Sequence, residues 1–238
     1  MKTSLRLTIC ALSPLLLASL ALGQQDYIGR YDVYAGYMYL NSPLISLGET
    51  GVHLQVGTNR TKWYSLGVDF SEGTGNTTLT PIMLKSSVQQ LIASELGPLK
   101  TAGLLPSTYE PVVPLHSQSQ TYSMGPQLNY RHFARVTLYI HPDVGAIHEA
   151  TALHPNPRDP IALALVQNLA PSGTKEEYTC FYGVGGGVDY NVNHHFGVKL
   201  HVDFVHDHLF GDVLNGRNSV RISVGPVFHM GKNVAGQK

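Results

Sequence analysis

The sequence is poor in cysteine, with two in 238 residues. Cys10 lies in an N-terminal leader described below, which leaves Cys180 as the remaining thiol of the mature chain. Small secreted proteins that depend on disulfides need paired cysteines at regular spacings. A disulfide framework is therefore excluded, and we interpret Cys180 as a packing residue rather than a nucleophile.

Charge is also scarce. Charged residues make up 13% of the chain, and 16 Lys and Arg balance 16 Asp and Glu for a formal net charge of zero. Proteins that bind nucleic acid through its phosphates carry an excess of positive charge on one face. The composition therefore predicts that nucleic acid is not a partner.

Long apolar runs are missing outside the N-terminus. The start, MKTSLRLTICALSPLLLASLALGQQ, has a positive region with Lys2 and Arg6, a short apolar run and small residues near Gly23. These are the parts of a secretory signal peptide, which we predict to span residues 1–23. No later run reaches the ~20 apolar residues of a spanning helix, so any membrane span must be built of strands.

The rest of the chain shows alternation with a period of two. In FGVKLHVDFVHDHLF, from Phe196 to Phe210, apolar residues alternate with Lys199, His201 and Asp203. This period is typical of a β-strand with two unlike faces. Eight such segments predict strands at about 30–40, 51–58, 63–71, 121–131, 135–147, 178–191, 196–210 and 219–230.

The connections between these strands alternate strictly in length. Residues 59–62, 132–134 and 192–195 read as tight turns, whereas 41–50, 72–120, 148–177 and 211–218 read as long loops. Outer-membrane barrels have this asymmetry, with short periplasmic turns and long extracellular loops. Helices are predicted near 81–96 and 160–169, because a proline follows Thr80 and Asp159 at the start of apolar stripes.

The polar face of these strands carries charges of both signs. A single sheet would need a covering layer for its apolar face, and the chain offers none. If the sheet closes on itself, lipid covers the apolar face and opposite charges pair inside. The predicted fold is an all-β, eight-stranded antiparallel up-and-down transmembrane barrel. Its predicted structural lumen network consists of Asp32, Gln55, Asp69, Gln127, Arg131, His141, Asp143, Asp189, Lys199, His201, Asp203 and Arg221.

Two segments carry a resemblance to a known family. The stretch TYSMGPQLNYRHFARVTLYIHPDVGAIHEAT, from Thr121, resembles the central hairpin of outer-membrane β-barrel domains such as the OmpA transmembrane domain and OmpX. The closing segment fits the pattern that barrel-assembly machinery reads in this family, through Ser223, Gly225, Phe228 and Met230. The resemblance covers residues 27–230 and implies one barrel domain, 24–238, in the cell outer membrane.

Several functions remain open at this point. The first is a structural or surface-interaction barrel, a monomer in outer-membrane lipid that presents its loops to an unidentified extracellular partner. The alternative is a small ion or solute pore, because Gly183, Gly185 and Gly187 point inward and either make room for side chains or leave a watery gap. A lipid-modifying enzyme is a further alternative.

Histidines raise two more questions of chemistry. His148-Glu149, His206-Asp207-His208 and His116-Ser117 lie near the loops, but none forms a triad signature, so no catalytic residue is assigned. No cofactor is predicted. His206 and His208, with His148 as a third donor, are weak candidates for a metal site, and histidines without a metal are the commoner case.

Overall fold

The computed structural model describes residues 25–236, so the predicted signal peptide lies outside the described residues. Within this part the chain forms eight strands and two α-helices. The strands are β1 (Tyr31–Ser42), β2 (Leu47–Asn59), β3 (Tyr64–Leu79), β4 (Val113–Tyr130), β5 (Val136–Leu153), β6 (Thr174–Asn191), β7 (Phe196–Asp207) and β8 (Arg217–Met230). The helices are α1 (Ser86–Thr101) and α2 (Pro160–Leu169).

The strands close into one barrel in chain order. Each strand pairs antiparallel with the next, and β8 returns to pair with β1, from Tyr31 opposite Met230 to Asn41 opposite Val220. The predicted eight-stranded up-and-down barrel is confirmed. One end, here called the turn end, holds the tight turns and both ends of the described chain. The other, the loop end, holds the long connections.

Alternation decides which side chains face outward. The outer surface is an apolar band that includes exposed Val52, Leu54 and Val56 on β2. On β1 the band runs from Tyr31 to Tyr39, which matches the ~9–11 residues with which a tilted strand crosses a bilayer. A continuous apolar surface around the whole barrel needs lipid as its solvent, because in water it would drive association.

Five strands extend farther toward the loop end than the sequence predicts. We expected β3 to end at Ser71 and β4 to begin at Thr121, but they pair from Leu79 opposite Val113. Their outward residues there are polar, and Gln118 donates a hydrogen bond to Glu72 (2.8 Å). The inward face there mixes small polar residues with buried Val113 and Leu115, so the regular alternation that marks a strand is lost although the pairing continues. The same holds where β2 begins at Leu47, β5 ends at Leu153 and β6 begins at Thr174.

The other strand ends differ by fewer residues. β7 ends at Asp207 rather than at Phe210, because Leu209 and Phe210 leave the strand and are buried at the loop end. The remaining ends of β1 (Tyr31–Ser42) and β8 (Arg217–Met230) lie within two residues of the expectation. The turn residues and charged residues that flank a strand do not determine the exact residue at which its hydrogen bonding ends.

The first loop helix is displaced from its prediction at 81–96. Pro81–Met83 forms a short 3-10 turn, and α1 begins only at Ser86, because Leu84 is extended between them. The helix then continues through Pro98 to Thr101. Pro98 has no N–H to donate to the carbonyl of Ser94. Ser94 is exposed, so water can hydrogen-bond to that carbonyl instead. The second helix, α2, occupies 160–169 as predicted.

The loop end is closed by a small apolar core. Leu209 is fully buried among side chains from α1 and from the loops, including Leu96 and Leu214. The full cluster of buried residues is Ile45, Leu47, Leu84, Ile92, Leu96, Ile147, Phe181, Val205, Leu209, Phe210 and Leu214. We call this cluster with α1 and α2 the cap. Neither helix of the described chain combines the length and apolarity needed to cross a membrane.

The turn end is closed by the two terminal segments. Val234 N donates to Ile28 O (2.9 Å), and both side chains are buried. Asn59 fixes the entry of the chain into β1, because its backbone N donates to Arg30 O (2.7 Å) and its side chain to Gly29 O (2.8 Å). Both mouths of the barrel are therefore covered by the chain itself.

Candidate functional site

The lumen contains stacked layers of ionic side chains, and the upper layer lies nearest the cap. Arg217 Nη2 lies 2.7 Å from Glu149 Oε2, and its Nε lies 3.2 Å from Asp207 Oδ2. Ser119 donates a hydrogen bond to a second carboxylate, Glu49 (2.6 Å). All five side chains are buried. Arg217 therefore pairs with two carboxylates, and Glu49 is held by a serine hydroxyl.

The middle layer is organised by Arg221, which projects from β8 across the lumen. Its Nη2 lies 2.7 Å from Asp203 Oδ2 and 3.4 Å from Asp143 Oδ2. Its Nη1 donates to Ser71 on β3 (2.9 Å) and Thr121 on β4 (2.8 Å). One guanidinium thus joins strands on opposite sides of the barrel and obstructs the axis.

The lower layer is organised by a lysine. Lys199 donates to Gln55 Oε1 (2.6 Å) and lies 3.7 Å from Asp189 Oδ1. Its ammonium also lies over two aromatic rings, 4.7 Å from the Tyr139 centroid and 5.7 Å from that of Tyr34. Cation–π contact stabilises an ammonium away from water. This layer closes the lumen a second time.

Below these layers, polar residues line the turn end. Asp32 bonds to His229 Nδ1 (2.8 Å) and accepts from Asn59 (2.7 Å). Arg131 in turn donates to Asn59 (2.8 Å). A cavity of about 330 Å³ lies here, between this network and the N-terminal segment that starts at Gln25. The lining of this cavity includes the buried carboxylate of Asp189, which belongs to the layer above.

The inward glycines of β6 make room for side chains rather than for a gap. Gly185 lies directly between His141 on β5 and Asp203 on β7 in the strand register. A Cβ on Gly185 would lie 2.0 Å from Asp203 Oδ1 and 2.4 Å from His141 Nε2, so the two side chains meet over this glycine. Tyr139 and His201 meet over Gly187 in the same way, with Tyr139 Oη 2.9 Å from His201 Nδ1.

Three histidines cluster between the middle and lower layers. The ring centroids of His53 and His141 lie 4.9 Å and 5.0 Å from that of His201. His201 Nε2 bonds to Asp203 Oδ1 (2.6 Å), and His141 Nε2 lies 3.4 Å from the same oxygen. His53 Nε2 bonds instead to Asp69 (3.2 Å). The sequence left Asp143 and Asp203 open as the partner of His141 and His201, and both histidines converge on Asp203.

All twelve residues of the predicted lumen network face the interior or its turn end. Gln127 is peripheral, since it donates only to its neighbour Asn129 (2.6 Å). The sequence analysis did not assign several other residues to the lumen network. These are Tyr34, Glu49, His53, Ser71, Ser117, Ser119, Thr121, Tyr139, Glu149, Asp207 and Arg217. Parity with Gln55 was the signal that could have found His53, which lies in a predicted strand, whereas Arg217 and Glu149 lie in predicted loops.

The proposed metal ligands near the loops are not brought together. His206 and His208 lie close, with ring centroids 4.8 Å apart. His148 instead stacks on Tyr178, with ring centroids 4.0 Å apart. His206 is paired with Tyr182, which lies four residues along β6 from Tyr178, so His148 is displaced from the other two histidines. Across residues 25–236, the group of three or more donors that could hold a metal is a different one, His141, His201 and Asp203.

Strand alternation also separates the candidate catalytic pairs. Ser117 faces the lumen and donates to Glu149 (2.9 Å), whereas His116 faces outward and bonds to Asn76 (2.9 Å). His148 is on the outer face, opposite to Glu149. Neighbours in a strand point to opposite sides, so adjacency in sequence works against a dyad here.

The predicted assembly signal occupies the turn-end half of β8. Ser223 faces inward and bonds to His53 Nδ1 (2.8 Å), and Gly225 lies against the backbone of Ala35. Phe228 and Met230 face outward, and Phe228 packs against Phe196 with ring centroids 5.4 Å apart. The apolar positions of the pattern therefore lie on the lipid-facing surface beside the β1–β8 seam.

Comparisons with solved structures place this chain beside bacterial outer-membrane barrels. Neisserial surface protein A shares 12% identity, with 84% of this chain and 96% of that chain covered and a TM-score of 0.47. OprG of Pseudomonas aeruginosa shares 9%, with 88% and 99% covered and a TM-score of 0.46. Ail of Yersinia pestis shares 10%, with 86% and 100% covered and a TM-score of 0.44.

These likenesses concern overall architecture alone. No protein-family model matches the sequence, and no curated protein matches it. The resemblance implied a closed barrel, and the strand pairing of this chain forms one. Nothing about ligands or partners is carried over from the similar structures.

Proposed function

We propose that this chain is a monomeric, non-conducting outer-membrane barrel whose role is structural or surface-interacting. The observation that carries the proposal is the filled lumen. Arg217, Arg221 and Lys199 are each at most 2% exposed, and each pairs with carboxylates at a different height of the barrel. A pore of this size would need a continuous wet path, and small barrels are filled by their own side chains.

The orientation follows from the two unlike ends. In outer-membrane barrels the short turns are periplasmic and the long loops extracellular. The loop end, with the cap, is therefore assigned to the cell surface. The assembly pattern on β8 and the predicted signal peptide support export across the inner membrane and insertion by barrel-assembly machinery. The proposal includes no catalytic step, and the separation of His116 from Ser117 supports that.

The cap provides the surface on which an extracellular partner would act. Although its core is apolar and buried, it also exposes Ile82 (82%), Leu104 (72%) and Leu91 (60%). A cap whose only role was to cover the rim would not need apolar side chains in water. These residues support a surface-interaction role, and the identity of the partner is left to binding experiments.

Planar-bilayer recording tests the closed lumen. Refolded protein should give no unitary current steps above a detergent blank, because each of three layers blocks the axis. A variant with Arg217→Ser, Arg221→Ser and Lys199→Ser removes the cation of each layer and serves as the opened reference. Discrete current steps from the unmodified barrel that scale with protein added would favour the pore alternative and overturn the proposal.

Cysteine labelling tests the orientation. Cys180 is the free thiol of the described chain and faces outward in the band, so Cys180→Ser gives a clean background. In that background, Ser107→Cys in the exposed loop after α1 should react with a membrane-impermeant maleimide on intact cells. The matched variant Lys62→Cys, in an exposed turn at the other end, should react only after lysis. The reverse pattern would sink the assignment.

A further inference from the structure

The histidine cluster in the lumen has the donor set of a metal site. His141 Nε2, His201 Nε2 and Asp203 Oδ1 all lie within 4.8 Å of one another. The three residues are at most 5% exposed. They come from β5 and β7, and Gly185 of β6 lies between them without a side chain to intervene. Three donors therefore converge on one point inside the barrel.

The distances suit a small divalent ion. Bonds of ~2.0–2.2 Å to nitrogen and oxygen place neighbouring ligands of a tetrahedral ion about 3.3 Å apart. His141 Nε2 and Asp203 Oδ1 are 3.4 Å apart. His201 Nε2 is closer to that oxygen, at 2.6 Å. A small rotation of the imidazole that moves Nε2 by less than about 1 Å would widen this distance to the separation of two ligands of one ion.

One of the donors lacks any other partner. Within the described chain, His141 Nε2 is buried and makes no hydrogen bond. A buried polar atom without a partner is costly, and native proteins satisfy nearly all of them. His201 Nε2 already bonds to Asp203 Oδ1 at 2.6 Å, and His141 Nε2 lies 3.4 Å from the same oxygen without a hydrogen bond, whereas an ion between them would bind all three atoms.

The charges of the middle layer point the same way. Asp69, Asp143 and Asp203 carry three negative charges against the one positive charge of Arg221. With neutral histidines these carboxylates exceed the positive charge by two, and here, unlike in the upper layer, imidazole donors for a cation converge beside them. A divalent cation balances that excess, and uncompensated buried charge is strongly unfavourable.

Outer contacts hold the donors in place. Tyr139 Oη bonds to His201 Nδ1 (2.9 Å), which fixes the ring and leaves Nε2 directed at the site. Arg221 binds the other carboxylate oxygen of Asp203, Oδ2, at 2.7 Å. Supporting contacts of this kind are typical of metal sites, where they orient imidazole and carboxylate ligands.

We propose that His141, His201 and Asp203 bind one late first-row divalent metal ion, for which Zn²⁺ is the probe, as a structural link between β5 and β7. Two imidazoles and a carboxylate favour zinc over magnesium or calcium, which prefer oxygen ligands. Because layers above and below close the lumen, the ion enters as the barrel folds. Once inside, it exchanges slowly with a chelator.

The test compares barrels refolded with and without zinc. His206→Asn and His208→Asn remove the exposed histidine pair from the background. After refolding with Zn²⁺ and washing with chelator, this parent should retain about one zinc ion per barrel by elemental analysis. His141→Gln should retain less than a tenth of that. His229→Gln, a lumen histidine bonded to Asp32 near the turn end, is the matched control and should retain the full amount.

A second measurement keeps the proposal open to refutation if His141→Gln does not fold. The zinc X-ray absorption spectrum of the parent should show imidazole and oxygen ligands, and zinc should raise the midpoint of urea unfolding of the parent alone. A parent that retains no zinc after refolding with it, equal retention by His141→Gln, or a spectrum without imidazole ligands would each overturn the proposal.

Discussion

Asp203 lies directly opposite Arg221 on the neighbouring strand, and their ion pair, with Nη2 and Oδ2 2.7 Å apart, is buried at the centre of the barrel. Asp203 also bonds to His201 Nε2 and lies 3.4 Å from His141 Nε2, while Arg221 reaches β3, β4 and β5. The pair therefore joins networks from both halves of the barrel. Loss of this pair should therefore lower the free energy of unfolding of the whole barrel rather than disturb one strand.

The variant Arg221→Met tests that role. It leaves Asp203 and Asp143 buried without their cation, and removal of one partner from a buried pair costs about 3–5 kcal/mol. Urea unfolding in lipid vesicles should report a loss of that size in the free energy of unfolding. Arg60→Met changes an exposed arginine in the turn after β2 and should stay within about 0.5 kcal/mol. Equal losses in both variants would contradict a special role for Arg221.

A methyl group on β6 tests how fully the lumen is packed. A Cβ on Gly187 would lie 2.0 Å from Leu200 O and 2.6 Å from Tyr139 Oη. Gly187→Ala should therefore destabilise the barrel by about 1–3 kcal/mol, as overpacking does. A Cβ on Gly57, also inward, meets its nearest atom at an ordinary 3.5 Å, so Gly57→Ala is the control with little loss. A neutral Gly187→Ala would mean that a free gap exists beside β6.

Trp63 provides a measure of depth in the membrane. It is the single tryptophan of the sequence, lies beside the turn before β3 and is 53% exposed. Tryptophan prefers the headgroup level. Lipids brominated near the headgroup should quench its fluorescence more than lipids brominated near the chain ends.

The control moves the fluorophore along the band. In Trp63→Phe with Leu200→Trp, the new tryptophan replaces an outward residue in the middle of β7. Its quenching should be strongest with bromines near the chain ends. If both proteins prefer the same lipid, the apolar band is not aligned with the bilayer as described.

The start of α2 in the cap should become less stable in acid, because it depends on the ionised carboxylate of Asp159. Asp159 begins α2, accepts from the amides of Ile161 and Ala162 (3.1 Å each) and from Tyr109 Oη (2.7 Å). Burial alone raises the pKa of Asp159, but the hydrogen bonds from Tyr109 and the two amides outweigh it and hold the pKa below its ordinary value. The stabilisation is therefore present at neutral pH and is lost as the pH falls through the folded pKa.

Hydrogen exchange of the α2 amides measures this loss. Protection should fall in acid, and Tyr109→Phe should move the onset of that fall to higher pH, because it removes the hydrogen bond that lowers the pKa most. Tyr178→Phe, which changes a tyrosine stacked on His148 outside the cap, should leave the onset unchanged. An onset that does not move in Tyr109→Phe would show that the amides alone set the pKa.

The alternation between the two faces made the barrel predictable from the sequence. Wherever a strand crosses lipid, residues of one parity face outward and are mainly apolar, and residues of the other parity face the lumen, so the positions of Leu54 and Gln55 followed from parity alone. Parity fails where strands leave the membrane. The outer parts of β3 and β4, from Glu72 to Leu79 and from Val113 to Gln120, have polar residues on both faces and read as loop although they pair.

The contacts within the lumen were less predictable. The sequence placed His141 and His201 inside but gave no register between β5, β6 and β7, and the register is what brings both to Asp203 rather than to Asp143. Glu149 and Arg217 lie in segments that appeared to be loop, so their pair could not be seen. The cap core depends on loop residues such as Leu209 and Leu214, whose packing has no periodic signature.

The pairing of β8 with β1 closes the strands into a circle, and the hydrogen bond from Val234 to Ile28 holds the two terminal segments beside each other. A short peptide that joined the two ends would close the backbone into a ring. The ring could then be reopened elsewhere, for example between Ser107 and Thr108 on the cap side. The permuted polypeptide would keep every pair of neighbouring strands, and its new ends would project from the opposite surface of the membrane.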